Sequence, residues 1–134
     1  MATSQARATR RLPLTAAALL VGEAIYQHTS IRGDTAPDLH PLVRRFLHEL
    51  PIESRERYVG WCAETVIVSD RLYAAERLAG RSLTATAARA ELWGARMSVC
   101  LIREEGDPAH GRTTPPCRSC AALLEWLGVE VIDE

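Results

Sequence analysis

Apolar and polar residues are distributed along the chain in a pattern that predicts an α/β protein beginning with two strands. The apolar run 16–21 and the segment 24–31, rich in β-branched and aromatic residues, flank Gly22 and Glu23. This pattern is typical of a β-hairpin with a glycine turn. The alanine content of the first run also suits a helix, so both interpretations stay open there.

Residues 40–50 predict an amphipathic helix, because apolar side chains recur there at helical spacing. Asp38 and Pro41 stand near its start and are interpreted as capping and first-turn residues. Pro51 ends the helix, since proline disfavours helical geometry in the residue before it.

Two further helices are expected in the middle of the chain. Residues 62–79 are the longest helical candidate, and Gly80 is suited to cap its C-terminus. Residues 66–68 are apolar on nearly all sides of this helix, which predicts burial against a sheet. Residues 84–92 predict a shorter surface helix that ends at Gly94.

The last third of the chain alternates between strand and helix. Residues 96–103 predict a strand, 104–115 a long loop, 116–127 a helix opened by proline, and 129–132 a last strand. The element order is then β-β-α-α-α-β-α-β. Because helices separate the strands that follow the hairpin, at least part of the sheet should be parallel.

Composition narrows the possible classes of function. The 134 residues suggest one compact domain, which we place at residues 13–134 after a flexible N-terminal tail at residues 1–12. A formal net charge of −1 argues against a basic nucleic-acid scaffold, and 47% hydrophobic residues argue against disorder. No apolar run is long enough to span a membrane. All 16 cationic side chains are arginines, which we attribute to codon usage.

The N-terminus and the cysteines bear on localisation. Arg10 and Arg11 precede the apolar residues 12–21, an arrangement that resembles a twin-arginine export signal. Glu23 follows at once without an Ala-x-Ala cleavage site, so we expect a cytoplasmic protein, with export as the alternative. Two of the four cysteines form a Cys-x-x-Cys pair, which favours a metal or redox site in a reducing compartment.

Three cysteines stand at predicted helix starts and form a candidate metal site. Cys117 and Cys120 are three residues apart on one helical turn, and Cys62 begins another helix. Helix N-termini favour the thiolate form, and zinc prefers thiolates in a tetrahedral array. Three protein ligands leave a fourth position for water, which is the catalytic pattern, and Glu64 follows two residues after Cys62.

This set resembles the zinc nucleobase deaminases, which carry His or Cys, then x-Glu, then Pro-Cys-x-x-Cys. With cysteine in the first position it is similar to the tri-cysteine cytidine deaminases. The likeness to the bacterial YwqJ-like deaminases is closer and covers residues 40–129, through the segments HPLVRRFL, GWCAE, VSDRL, LIREEGDPAHG, PPCRSC and ALLEWLGV. The spacing between Cys62 and Cys117 is longer than in ordinary cytidine deaminases, and the extra helix at 84–92 accounts for it.

The resemblance implies a fold and a reaction. The fold is an α/β three-layer α/β/α sandwich with a mixed sheet of about four strands. One Zn²⁺ per chain, held by Cys62, Cys117 and Cys120, supplies a hydroxide that attacks the amine-bearing ring carbon. Glu64 is the proton shuttle, and the backbone amide of Ala63 contacts the base. The reaction is hydrolytic deamination, with cytosine favoured.

The resemblance and the charge together suggest partners. The substrate is expected to be a small nucleoside, a nucleotide or a single-stranded nucleic acid, because duplex binding needs a basic footprint. YwqJ-like domains are expected as bacterial toxin or effector modules, so a nucleic-acid target stays open, as does a homo-oligomer.

Other residues are weaker candidates. Trp61 and His110 are substrate-binding candidates. A packing role explains Trp61 equally well, and a histidine in a surface loop is the commoner explanation for His110. Arg103 and Arg118 are candidates to offset the negative charge of the thiolates. Three residues are expected in the core: Cys100, Trp93 and Trp126.

Alternatives to catalysis remain at this point. The Cys117–Cys120 pair also occurs in structural zinc sites and in thioredoxin-like redox sites. The main alternative function is a non-catalytic, zinc-stabilised interaction domain.

Overall fold

A computed structural model describes residues 15–29, 38–54 and 62–132. These residues form the predicted order of elements: strands β1 (Thr15–Val21), β2 (Ala24–Thr29), β3 (Arg96–Leu101) and β4 (Glu130–Ile132), and helices α1 (Pro41–His48), α2 (Ala63–Ala79), α3 (Ala85–Leu92) and α4 (Arg118–Leu127), with a 3-10 turn at Ile52–Ser54. The β-hairpin interpretation of residues 16–21 is confirmed.

The four strands form one mixed sheet in the order β2-β1-β3-β4. Strand β1 pairs antiparallel with both β2 and β3, whereas β3 and β4 are parallel. The prediction of a partly parallel sheet is therefore confirmed. Because β3 and β4 run in the same direction, helix α4 connects them as a crossover.

One face of the sheet carries the hydrophobic core. The cross-strand partners Leu19 and Met97 are fully buried there, and the neighbouring pair Ala17 and Val99 is nearly so. Helix α2 contacts β1 and β2 and buries every residue from 63 to 69. This confirms that the apolar first half of α2 packs against the sheet.

The described helices form one layer. Helix α1 contacts α2 and α4, and α3 contacts the same two helices. On the opposite face of the sheet, the paired residues Ala16 and Cys100 and the pair Ala18 and Ser98 are only half-buried. The α/β class with a mixed four-stranded sheet is confirmed, and within the described residues the helices cover one face of it.

Helix starts differ in detail from the sequence analysis. His40, not Asp38, caps α1: its Nδ1 accepts a hydrogen bond from the backbone N–H of Leu42 at 3.1 Å. Asp38 instead faces Arg44, with its carboxylate oxygen Oδ1 at 3.8 Å from the guanidinium nitrogen Nη2. Helix α4 begins at Arg118, so Pro116 precedes the helix rather than opening it.

Two core predictions were wrong. Cys100 is half-buried on the face of the sheet that lies opposite the described helices, which we call the open sheet face, because its side chain alternates along β3 with those of Val99 and Leu101. Trp93 is 64% exposed and packs its ring over Gly128, whose φ of 74° and lack of a Cβ make room for it. Trp126 is partly buried and stacks on Phe46 at 5.0 Å, as expected of a residue at the core margin.

Three sequence predictions fall outside the described residues: the tail at residues 1–12, the Arg10-Arg11 pair and Trp61. In the described part of the chain, no helix has the length and hydropathy needed to cross a membrane.

Candidate metal centre and active site

Two helix N-termini meet at one end of the molecule and bring three cysteines together. Cys62 is the N-cap of α2 and Cys117 the N-cap of α4, both with extended backbone. Cys120 lies in the first turn of α4, where it is 1% exposed. Helices α2 and α4 contact each other, so the two partially positive ends face the same space.

The three sulfurs are close enough to share one ion. The Sγ atoms of Cys62 and Cys117 are 3.5 Å apart, and all three sulfurs lie within 4.8 Å of one another. In tetrahedral geometry with Zn–S bonds of about 2.3 Å, neighbouring sulfurs are about 3.8 Å apart. The donor set and spacing therefore fit zinc, and among the described residues this is the one group of its kind.

The thiols strongly influence one another. Hydrogen bonds from the Cys120 and Cys62 thiols, helped by backbone N–H groups, lower the pKa of Cys117 to about 3. The hydrogen bond to Cys117, together with burial, raises the pKa of Cys62 to about 12, and the hydrogen bonds to Cys117 and Cys62 raise the pKa of Cys120. The sulfurs alone thus hold one negative charge readily, and a divalent cation would supply the charge needed for three thiolates.

Glu64 lies beside this group in the first turn of α2. Its side chain is 3% exposed, and Ala63 before it is fully buried. Burial, followed by the negative charge of Cys117, raises the pKa of Glu64 to about 7, although the residue's own backbone N–H partly opposes the shift. A carboxyl group with a pKa near neutrality can both accept and donate a proton. A cation at the sulfurs would lower this pKa again.

Thr65 is a member of the cluster that the sequence analysis did not identify. Its hydroxyl oxygen lies 3.2 Å from the Cys120 sulfur, and the residue is fully buried. Its position directly after the Cys-x-Glu segment, on the first turn of a helix, is the sequence feature that could have indicated it.

The loop before Cys117 is held to the end of β3. The backbone N–H of Leu101 donates to Arg112, that of Gly111 donates back to Leu101, and Thr114 donates to Val99. Inside the loop, His110 is exposed and its Nδ1 accepts a hydrogen bond from the Arg103 backbone at 3.0 Å. His110 therefore has a structural partner in the loop itself, and its role toward substrate stays a prediction.

The two candidate arginines flank this loop: Arg103 lies just before it, and Arg118 is the first residue of α4 after it. The exposed Arg118 donates from Nη1 to the carbonyl of Glu53 at 2.7 Å, which ties the 3-10 turn to α4. Arg103 donates from Nη1 to the Ile102 carbonyl at 2.8 Å. These bonds explain how both guanidinium groups are held, while their effect on the thiolates stays a prediction.

A comparison of the sequence with models of protein families agrees with the motif, the cluster of sulfurs and the buried Glu64. The model of the YwqJ-like deaminase family matches residues 2–129, which is nearly the whole chain. No curated protein and no solved structure matches the chain. The chain belongs to the YwqJ-like deaminase family.

Proposed function

We propose that this protein is a zinc-dependent hydrolytic deaminase that converts an amino-bearing nucleobase, cytosine by preference, to its carbonyl form with release of ammonia. The observation that carries the proposal is the cluster at the N-termini of α2 and α4. There three sulfurs lie within 4.8 Å of one another, and the buried Glu64 follows two residues after Cys62.

Cys62, Cys117 and Cys120 would hold the metal, which would supply a water that ionises near neutral pH. Glu64 takes a proton from the attacking water, delivers it to the ring nitrogen, and helps to protonate the departing amine. Its burial suits this task, because Glu64 is 3% exposed and bulk water has little access to the group that exchanges the proton. Ala63 is the candidate for a backbone contact to the base, since it lies between Cys62 and Glu64.

Charge favours a small or single-stranded substrate. The chain carries a formal net charge of −1, which argues against the basic footprint that duplex binding needs. Side-chain contacts to phosphate would come from arginine or a protonated histidine. Arg103, Arg118 and His110 belong to the loop and helix start that lead into the site, and they are the candidates.

The test is ammonia release by zinc-loaded protein. Cytidine, adenosine and guanosine, their nucleotides, single-stranded oligonucleotides and duplexes are compared as substrates. Glu64→Gln should lower the rate by about 10²- to 10⁴-fold, the usual contribution of a positioned proton-transfer group, while the zinc content stays the same. The matched control is Glu125→Gln, which removes an exposed carboxylate from α4 and should leave the rate unchanged.

Other outcomes would favour other functions. Zinc binding without turnover of any substrate would favour a zinc-stabilised interaction domain. Metal-free protein with a Cys117–Cys120 disulfide would favour redox chemistry. Activity confined to nucleic-acid substrates would favour a toxin or effector role.

A further inference from the structure

The hydroxyl group of Thr65 contacts a proposed ligand of the metal. Its Oγ1 lies 3.2 Å from the Sγ of Cys120, within hydrogen-bonding distance for sulfur. Thr65 is 0% exposed and Cys120 is 1% exposed. Water cannot easily replace this contact, so the two side chains depend on each other for it.

A metal-bound cysteine needs such a donor. A thiolate only accepts hydrogen bonds, whereas a threonine hydroxyl carries one proton to donate. Three thiolates around a divalent cation leave a surplus of negative charge, which a hydrogen bond to sulfur reduces. Cys117 already receives bonds from the backbone N–H groups of Cys120 and Ser119. For Cys120, the Thr65 hydroxyl provides a donor from the facing helix.

The contact also joins the two helices that form the site. Thr65 belongs to the same first turn of α2 as Glu64, and Cys120 belongs to the first turn of α4. Since threonine is branched at Cβ, few rotamers are open to it in a helix, and the direction of its hydroxyl is restricted. The bond therefore fixes Cys120 relative to the turn that carries Glu64.

We infer that Thr65 is a positioning residue of the metal centre: its hydroxyl donates to the Cys120 thiolate, orients that sulfur and increases the affinity for metal. The inference rests on the proposed metal site but not on the identity of the substrate. The geometry on which it stands is the buried Thr65–Cys120 contact.

A second buried hydroxyl on α2 provides a matched control. Ser69, one turn further along, is 1% exposed and accepts a hydrogen bond from the backbone N–H of His40 at 2.6 Å. Ser69→Ala removes a buried hydroxyl that has no part in the cysteine cluster. A general loss of stability would therefore affect both variants, whereas a specific effect on the metal would affect only Thr65.

The experiment measures metal binding without substrate. Zinc affinity is determined by competition with a colorimetric chelator, and the sulfur-to-cobalt charge-transfer band is recorded after loading with Co²⁺. Thr65→Val should weaken zinc binding by about 10-fold, the lower end of the usual effect of losing a partner of a ligand, and should shift the cobalt band. Thr65→Ser should restore both properties, and Ser69→Ala should change neither.

Two results would overturn the inference: wild-type affinity and band position in Thr65→Val, or an equal loss of affinity in Ser69→Ala. Thr65→Ala carries the same expectation as Thr65→Val and replaces it if the valine variant does not fold. Failure of wild-type protein to bind either metal would instead contradict the metal centre itself. The two failures are thus distinguishable.

Discussion

Helix α2 contributes to two clusters of polar side chains that differ in how their hydrogen-bonding and charged groups are paired. The first, which we call the cysteine cluster, lies at its N-terminal end and comprises Cys62, Glu64, Thr65, Cys117 and Cys120. The second, the His40 cluster, lies further along the helix and comprises His40, Ser69 and Glu76. Each combines buried with half-buried residues, and the difference between them lies in the chemistry of their groups.

In the His40 cluster the groups form donor–acceptor pairs. The Nε2 of His40 and a carboxylate oxygen of Glu76 are 2.7 Å apart, and the His40 backbone donates to Ser69 at 2.6 Å. The same Glu76 oxygen accepts from the Leu83 backbone at 2.9 Å. Such complementary pairs stabilise α1, α2 and the segment before α3 without any ligand.

The cysteine cluster instead collects groups that become negative. Hydrogen bonds with Cys117 raise the pKa of Cys62 and of Cys120, and burial raises that of Glu64; the negative charges of neighbouring groups add to each shift. Ionising several of these groups at once is therefore unfavourable unless a cation lies beside them. The groups of the His40 cluster therefore complete one another, whereas the donor set of the cysteine cluster fits an ion.

Removal of one sulfur from the cysteine cluster should have the largest effect on zinc binding. Cys117→Ser should lose more than about 100-fold in zinc affinity, because losing a mere partner of a ligand already costs about 10- to 100-fold. Cys100→Ser removes the half-buried cysteine of the open sheet face and should keep about one zinc per chain. Zinc content by elemental analysis checks both. Equal zinc content in the two variants would contradict the distinction between Cys117 as a metal ligand and Cys100 as a residue outside the metal site.

Removing the His40 ring should have the opposite pattern. His40→Ala loses the N-cap of α1, the bond to Glu76 and the contact with Tyr73 at 4.9 Å. We expect the free energy of unfolding to fall by about 2 kcal/mol, with zinc affinity unchanged. Denaturant titration and chelator competition measure the two quantities. Normal stability together with weak zinc binding in this variant would contradict the separation of the two clusters, because it would show that His40 acts on the metal site.

The smallest expected effect is the pH dependence of the His40 cluster. Hydrogen bonds from the Leu83 backbone and from His40 lower the pKa of Glu76 below its ordinary 4.5. Between the folded and the unfolded pKa of Glu76, the folded state therefore binds fewer protons than the unfolded state. The contribution is complete above pH 4.5 and is lost as the pH falls through the lower, folded value.

Glu76→Gln cannot titrate, so its unfolding midpoint should fall less than that of the wild type between neutral pH and about pH 4. The difference should be small, because Glu76 is partly exposed and water screens its charge. Guanidinium titrations at the two pH values measure it. An equal fall in both proteins would show that Glu76 contributes nothing to acid sensitivity.

Much of the fold could be predicted from local patterns. The glycine turn at Gly22, the apolar first half of α2 and the cap at Gly80 each act over a few residues, and all three are found in the structure. The three cysteines could also be identified, because a Cys-x-Glu and a Cys-x-x-Cys at helix starts form a specific pattern. The structure brings them within 4.8 Å of one another.

Apart from the His40 cap of α1, the contacts that were missed join distant segments. The bond between His40 and Glu76 spans 36 residues, and the contact between Thr65 and Cys120 spans 55. Periodicity along one segment carries no information about such partners. The exposure of Trp93 was missed for the same reason, since its packing site is Gly128.

The central claim is that the metal centre has three sulfur ligands and one open position, and X-ray absorption at the zinc edge tests it most directly. We expect about three sulfurs at about 2.3 Å and one oxygen at about 2.0–2.2 Å in zinc-loaded wild-type protein. Four sulfurs, or three sulfurs with a histidine nitrogen, would close the centre and contradict a catalytic role.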